Sequence, residues 1–339
     1  MGLGLGTRLS YPLLWGIHQN TNVYLFPVLM KKLIYRSLMF TVLSLGLLWL
    51  ADFIFTKTLR HDPLNKVAFA RQFRNDTFDF AFLGNSRVLV MSRTEELQKL
   101  TGKRGINLGL DGSNLMHQYL ILADFLENNF IKDLYLNIDP WGLQLSLNNP
   151  ARIWCFMPFI GDYEVYENFE YIFGKKQAGL WLYAPFARYA YFNSRQGPVS
   201  VINSEIGFMS KSYNKHGDLK RIPNKTIPMK KIVGDKASKI LLNKDNLHYL
   251  KKIMELCRSK KVKLHVYTAP VFLPHYQKYS NIDTILNTTL FPLVAKYGGS
   301  YTNFCIKPFC SDTASFYDLH HLNKKGVGQF TPLLQKLIE

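Results

Sequence analysis

Thr77-Phe-Asp-Phe-Ala-Phe-Leu83, followed at once by Gly84-Asn85-Ser86, reads as a β-strand running into a turn. Aromatic and apolar residues at this density suit a strand, and a Gly-Asn-Ser cluster stops it. The same rhythm continues on the C-terminal side. A polar helical segment falls near Thr94 to Leu100, and a short strand at Ile106-Asn-Leu108. A helix is expected over residues 114–130, where Leu115, Tyr119, Leu122, Phe125 and Leu126 share one face. Asp133-Leu-Tyr-Leu-Asn-Ile-Asp139 is the next strand. Strand, helix, strand, helix, strand in this order predicts an α/β fold built on a doubly wound parallel sheet. Its functional residues should sit at the carboxyl ends of the strands.

Between residues 145 and 244 the rhythm lapses. Aromatic residues dominate from Trp154 to Phe192, and the stretch from Lys211 to Lys244 is basic and holds Pro223 and Pro228. This is an insertion: a lid or membrane-facing surface on one reading, a solvated loop with its own small core on the other. The α/β pattern resumes with a helix over Lys244 to Ser259 and a strand over Val262 to Thr268. A helix near Ile282 to Tyr297 and a last strand near Ser300 to Phe304 complete it. A short helical stretch around Leu64 to Phe73 precedes the first strand.

Further upstream, Ser37 to Phe55 is almost wholly apolar and approaches the roughly 20 residues that cross a bilayer. A single transmembrane helix is expected, a buried core helix being the alternative. Asp52 falls near its far end, where an interfacial position beside Trp49 tolerates it. Lys31, Lys32 and Arg36 flank the start, so the positive-inside rule puts the N-terminus in the cytoplasm and everything after Lys57 outside. Lys57 and Arg60 make that asymmetry modest. No small-x-small cleavage site follows, which favours an uncleaved signal anchor in the cytoplasmic membrane. The expected organisation is a short cytoplasmic segment (1–30), a transmembrane anchor (31–56), a juxtamembrane linker (57–75) and an outer domain (76–339). Residues 1–29 are open to being an upstream extension of the reading frame.

The 339 residues carry 42 Lys and Arg against 24 Asp and Glu, a formal charge of +18 that implies an anionic partner. No zinc-finger spacing, RNP-like aromatic motif or basic heptad helix is present, which argues against nucleic acid. Of the four cysteines, Cys305 and Cys310 are close enough in sequence to close a small disulfide in an oxidising compartment. A metal site using them with His320 lacks a paired Cys-x-x-Cys unit. Cys155 and Cys257 read as small buried hydrophobes.

Two fragments carry chemistry. Ser86 ends the first strand where a helix begins, which is the place of a helix cap or of a nucleophile. Asp318-Leu-His-His321-Leu-Asn-Lys-Lys-Gly326 sets a carboxylate three residues before an imidazole it can orient. A Gly-x-Ser-x-Gly elbow is missing, which argues against an α/β-hydrolase.

Together these blocks resemble those of the SGNH (GDSL-like) hydrolases. The family's Gly-Asp-Ser is Gly84-Asn85-Ser86 here, with Asn in place of Asp. Its Asn-x-Gly-x-x-Gly is matched by Asn107-Leu-Gly109-Leu-Asp-Gly112, and its closing block by Asp318-x-x-His321-Leu-Asn-x-x-Gly326. The third block departs: Asn137-Ile-Asp139-Pro140 stands where the family has Gly-x-Asn-Asp. The resemblance covers about residues 76–144 and 245–339 and implies a flavodoxin-like sheet. It implies Ser86 as nucleophile, His321 as general base and then acid, and Asp318 as the group orienting His321. Gly112 is the implied backbone oxyanion donor, with no metal or organic cofactor. Strict alignment puts Asp139 at the oxyanion-binding Asn position, so either Asn137 supplies that donor or the usual three-donor arrangement is lost. Both residues are equally readable as helix caps at a strand end. Arg87 and Asp139 are candidates for substrate contact, Arg87 through an anionic group or else in a structural salt bridge. His320 and His117 are expected on the surface.

With the anchor, the resemblance implies the envelope-acting subset: a serine esterase or O-acyltransferase working on acylated envelope carbohydrate or lipid. Its domain would lie on the periplasmic or extracellular side. The alternative is a non-catalytic module of the same fold that binds an envelope polymer or scaffolds a partner.

Overall fold

Five strands, β1 (Thr77–Leu83), β2 (Gly105–Asn107), β3 (Phe130–Asn137), β4 (Lys263–Thr268) and β5 (Ser300–Asn303), form one all-parallel sheet in the order β2-β1-β3-β4-β5. The structure is a computed structural model, described for residues 21–62, 64–148, 152–190, 213–226 and 237–339. Two units are distinguished, Met1–Ala51 and Asp52–Glu339.

Apart from the half-exposed edge strand β5, the strands are largely buried on both faces, and their alternating side chains build two different layers. Ala81, Leu83, Leu134, Leu136, Leu264 and Val266 point into one, shared with α5 (Leu115–Asn128) and the helix Lys244–Ser259. Phe80, Phe82, Tyr135 and Tyr267 point into the other, whose rings contact one another in tilted or edge-on pairs. That aromatic layer is closed by α3 (Ser86–Met91), α4 (Thr94–Thr101) and the last helix, Lys324–Ile338. In this strand order the chain leaves β1 toward β2 and then crosses to β3, so the switch point lies at the carboxyl ends of β1 and β3.

All five expected strands are present, β1 with the expected ends and the others with ends shifted by one to three residues. β3 begins at Phe130 rather than at residue 133, because Phe130 and Ile131 pair with Thr77 and Phe78. The helix expected over 64–73 is only α2 (Lys66–Ala70), started by the Asn65 side chain, which accepts from Val67 N and Ala68 N. The helix near Ile282 to Tyr297 carries a π-turn at Leu286–Leu290.

The apolar helix is longer than expected. α1 (Thr21–Arg60) runs through Lys31, Lys32 and Arg36, and its stretch Pro27–Arg60, 34 residues, is long and apolar enough to cross a membrane. The segment expected at 1–30 lies largely outside the described residues. In the second unit, the final turns of α1 are docked. Asp52 is only 5% exposed, because its carboxylate pairs with Arg188 and accepts from Phe186 N at 3.0 Å. Phe55 packs on Phe186 and Tyr189, and Thr56 shares a 2.6 Å hydrogen bond with the Tyr189 hydroxyl.

The described part of the insertion is ordered around its own elements: α6 (Tyr163–Phe173), α7 (Lys175–Tyr183) and α8 (Ala187–Ala190). Its basic portion docks through a turn at 213–219. Asn107 N donates to His216 O at 2.8 Å, and the buried Lys66 Nζ donates to Gly217 O at 2.6 Å. Gly217 is obligatory: φ is +85°, and a Cβ would lie 2.4 Å from Asn107 O.

Candidate active site

β1 ends where its backbone must pass very close to its neighbours. A Cβ on Gly84 would fall 2.5 Å from Val88 Cγ2 and 3.1 Å from Asn137 Cβ. Asn85 then caps α3, its Oδ1 accepting from Arg87 N at 3.0 Å, so Ser86 becomes the first residue of the helix. Its Oγ lies 2.8 Å from His321 Nε2.

His321 Nδ1 in turn lies 2.9 Å and 3.0 Å from the two oxygens of Asp318. Burial pushes the Asp318 carboxyl up, but hydrogen bonds from the His321 ring and from the amides of His320 and His321 outweigh it. The group stays below the usual carboxylate range. An ionised carboxylate only accepts, so Nδ1 carries the ring proton and Nε2 is left to accept from the Ser86 hydroxyl. Tyr317 stacks on the imidazole, 5.2 Å between centroids. The rest of the block anchors this loop. Asn323 caps the last helix through Gly326 N and reaches Ala314 O at 2.8 Å, and Gly326 lets that helix approach Ser315, whose carbonyl a Cβ would meet at 2.1 Å.

The second block lies beside the first. Asn107 Oδ1 accepts from Gly109 N at 2.8 Å while its Nδ2 donates to Val88 O and Asp218. Leu110 N and Ser113 Oγ both donate to Gly84 O, which pins the 110–113 turn onto the residue two before Ser86. Gly112, at φ +62°, turns the chain there. Arg152 holds this turn from outside, donating from Nε to Asp111 O at 2.9 Å and pairing with the Asp111 carboxylate.

The third block is where the sequence was hardest to read. Asp139 pairs through one oxygen with Arg87 and accepts through the other from Asn85 Nδ2 at 2.8 Å. Asn137 Nδ2 also donates to Asp139, at 3.1 Å, and Asn137 Oδ1 accepts from Ala269 N at 2.8 Å. One of the two Asn137 amide hydrogens is therefore committed to Asp139. Arg87 is 2% exposed, donates to Ala269 O and lies over the Trp141 ring. Burial lowers it to about 10, still protonated at neutral pH. Substrate contact was one of the two roles expected of Arg87; the buried salt bridge is the one found.

A cavity of about 340 Å³ opens over Ser86 and His321. Leu115, Ile138, Trp141, Leu143 and Leu145 give it an apolar wall, and Asn114, Gln118 and Asn246 add amides. Asn137, Asp139 and Arg87 also line it.

One histidine meets expectation and one departs from it. His320 is exposed, as expected, and also lines this cavity, its ring 4.1 Å from that of His275; partial desolvation with nearby Arg87 lowers it to about 4. His117 is fully buried rather than on the surface, because its ring caps α5 at Asn114 and stacks on Phe156. Cys305 and Cys310 are both free thiols, each buried against a backbone carbonyl, so the disulfide is not formed. Among the described residues, no group of three or more His, Cys, Asp or Glu side chains is placed to hold a metal ion. A second Ser-His-Asp line exists: His265 bridges Ser300 Oγ (2.9 Å) and Asp133 (3.0 Å), across β3, β4 and β5. It does not line the cavity.

The sequence did not reveal the Arg87, Asn85 and Asp139 cluster or the Arg152 clamp. The paired departures at residues 85 and 139 were the available signal for the first. No protein-family model matches the chain, and no curated protein matches it.

Proposed function

We propose that this chain is a membrane-anchored serine esterase or O-acyltransferase of the SGNH type. It would act on acyl groups of cell-envelope carbohydrate or lipid through an acyl-serine intermediate. The observation that carries this reading is the continuous line Asp318, His321, Ser86 at the floor of a cavity with one apolar wall.

The chemistry follows from that line. Ser86 Oγ attacks the acyl carbonyl carbon as its proton passes to His321 Nε2, and Asp318 stabilises the imidazolium. Collapse of the tetrahedral intermediate breaks the bond to the leaving oxygen, which takes the proton back from His321. Water or an acceptor hydroxyl then gives its proton to His321, attacks the acyl-Ser86 carbonyl and frees the serine. The apolar wall suits the acyl chain, and Gln118, whose Oε1 has no hydrogen-bond partner among the described residues, suits a hydroxyl group; Asn114 and Asn246 are held by backbone partners.

A carboxylate at residue 139 does not defeat this scheme. Unpaired, it would repel the developing oxyanion; paired with Arg87 and hydrogen-bonded by two amides, most of its field is cancelled nearby. The membrane reading rests on α1 and its basic N-terminal flank. The test is turnover of short-chain p-nitrophenyl esters by the purified full chain, with labelling of Ser86 by a fluorophosphonate. A chain that does neither is a binding module.

A further inference from the structure

Beyond the anchor helix, we infer that α7 of the insertion is a second membrane contact: a short amphipathic helix that lies in the lipid interface beside the point where α1 leaves the bilayer. This rests on the membrane-anchored reading.

Lys176, Leu180 and Tyr183 are spaced four and three residues apart, so they form one stripe on α7. The whole stripe is exposed, Leu180 at 50% and Tyr183 at 72%. The opposite face is spoken for: Ala178 and Trp181 are fully buried, and Trp181 packs on Phe169 and Phe173. An outward stripe of Leu and Tyr led by a lysine pair, Lys175 and Lys176, has the composition of an interfacial helix. Leucine enters the acyl boundary, the tyrosine hydroxyl stays at the headgroups, and lysines reach anionic phosphates.

The location of that stripe names its occupant. A hydrocarbon layer of about 30 Å takes about 20 helical residues. Counted on from Lys31 and Lys32, those residues end near Asp52. Asp52 is the residue that Arg188 holds, while Phe55 and Thr56 grip Phe186 and Tyr189. These partners lie in or beside α8, and α8 packs against α7. The ion pair and the aromatic cluster therefore bring α7 to the level of the bilayer boundary. At that level α1 itself exposes Phe53 and Ile54, at 64% and 45%.

The four native cysteines are buried, so a cysteine introduced at an exposed position is the one a bimane reagent labels under native conditions. Full chains carrying Leu180→Cys, Tyr183→Cys, Phe53→Cys or Leu100→Cys are labelled and placed in nanodiscs of phosphatidylcholine and phosphatidylglycerol, with or without brominated acyl chains. Leu100, on α4, is the exposed reference. Bromine should quench the labels at 180 and 183 severalfold more than the label at 100, as it does at 53. Quenching at 53 alone, with 180 and 183 behaving like 100, would overturn the inference and leave the anchor and the proposed activity standing. No quenching at 53 would remove the anchor, and this inference with it. A signal at 180 that follows protein density instead of bromination would assign the stripe to a second copy of the chain and equally overturn the proposal.

Discussion

Asn85 Nδ2 stands 2.8 Å from Asp139 Oδ2, so two of the positions at which this chain departs from the blocks it resembles hold each other. An acid expected at 85 is an amide, and an amide expected at 139 is an acid. The pair keeps one carboxylate and one amide, exchanged across the gap between β1 and β3. Arg87, buried next to both, sees the same net charge either way.

That exchange predicts a reciprocal rescue. Asn85→Asp sets two carboxylates against each other beside Ser86 and should lower turnover by about a hundredfold, the scale of losing one aligned electrostatic contact. Asp139→Asn leaves Arg87 without its counter-charge and should destabilise the fold by about 3–5 kcal/mol. The double variant should recover most of both losses, read as ester turnover and as the urea midpoint. Additive losses in the double variant would show that the two positions are independent.

The proposed catalytic set predicts loss as a unit. Ser86→Ala and His321→Ala should each abolish nearly all ester turnover, and the double variant should be little worse than either. Mapping a fluorophosphonate adduct by peptide mass provides an internal control. Ser300 also hydrogen-bonds a histidine that contacts an aspartate, but outside the cavity, so the adduct belongs on Ser86. An adduct on Ser300 that survives Ser86→Ala would move the active site to the other end of the strands.

Much of the sheet was legible because β1, β3 and β4 are short apolar runs bounded by turn residues, and because α5 and the helix Lys244–Ser259 have regular buried faces. The Ser86, Asp318 and His321 line was legible because each residue sits in a local block whose glycine or asparagine has a visible backbone task, as Gly84 and Asn323 do. Long-range pairing was not. Nothing local marks Asp52 as the partner of Arg188, or Asp111 as the partner of Arg152, since both pairs depend on how the insertion returns to the domain. His117 was misread because an imidazole at the third position of a helix caps it by turning inward, a choice that burial against Phe156 decides.

Lys66 predicts a pH dependence of stability. Burial lowers its ammonium from 10.5 to about 7, with Asp218 opposing the shift. A lowered folded value means that the unfolded chain binds the proton more tightly between pH 7 and 10.5. Stability from this group is therefore least below pH 7 and rises with pH through that window, by at most about 1.4 kcal/mol per pH unit. Lys66→Met removes the titration, so the difference in unfolding free energy between the wild type and the variant should slope across this window and be flat below it. A flat difference throughout would mean that Lys66 keeps its ordinary proton affinity.

The basic flank at Lys31, Lys32 and Arg36 predicts that the C-terminal domain lies outside. Alkaline phosphatase fused after Glu339 should be active in a bacterial host, since that enzyme folds only outside the cytoplasm. An inactive fusion at the same site, with an active cytoplasmic reporter, reverses the orientation and removes the envelope substrate.

Under the proposed mechanism, the oxyanion donor depends on what Asn137 has left to give. Its Oδ1 is held by Ala269 N, and one Nδ2 hydrogen goes to Asp139, which fixes the plane of the amide and leaves one hydrogen to give from a residue that lines the cavity. A donor whose orientation is already fixed stabilises the tetrahedral oxygen without reorganising, and such a donor is typically worth about a hundred- to a thousandfold in turnover. Asn137→Ala should therefore lower kcat on that scale and leave KM nearly unchanged, because the bond strengthens only in the transition state. Asn137→Asp keeps the shape, loses the donor and sets a second carboxylate against Asp139, so it should be worse than alanine. If both variants instead raise KM and lower the urea midpoint while kcat holds, Asn137 is a brace between β3 and β4. The oxyanion is then held by backbone amides at Ser86 and Gly112.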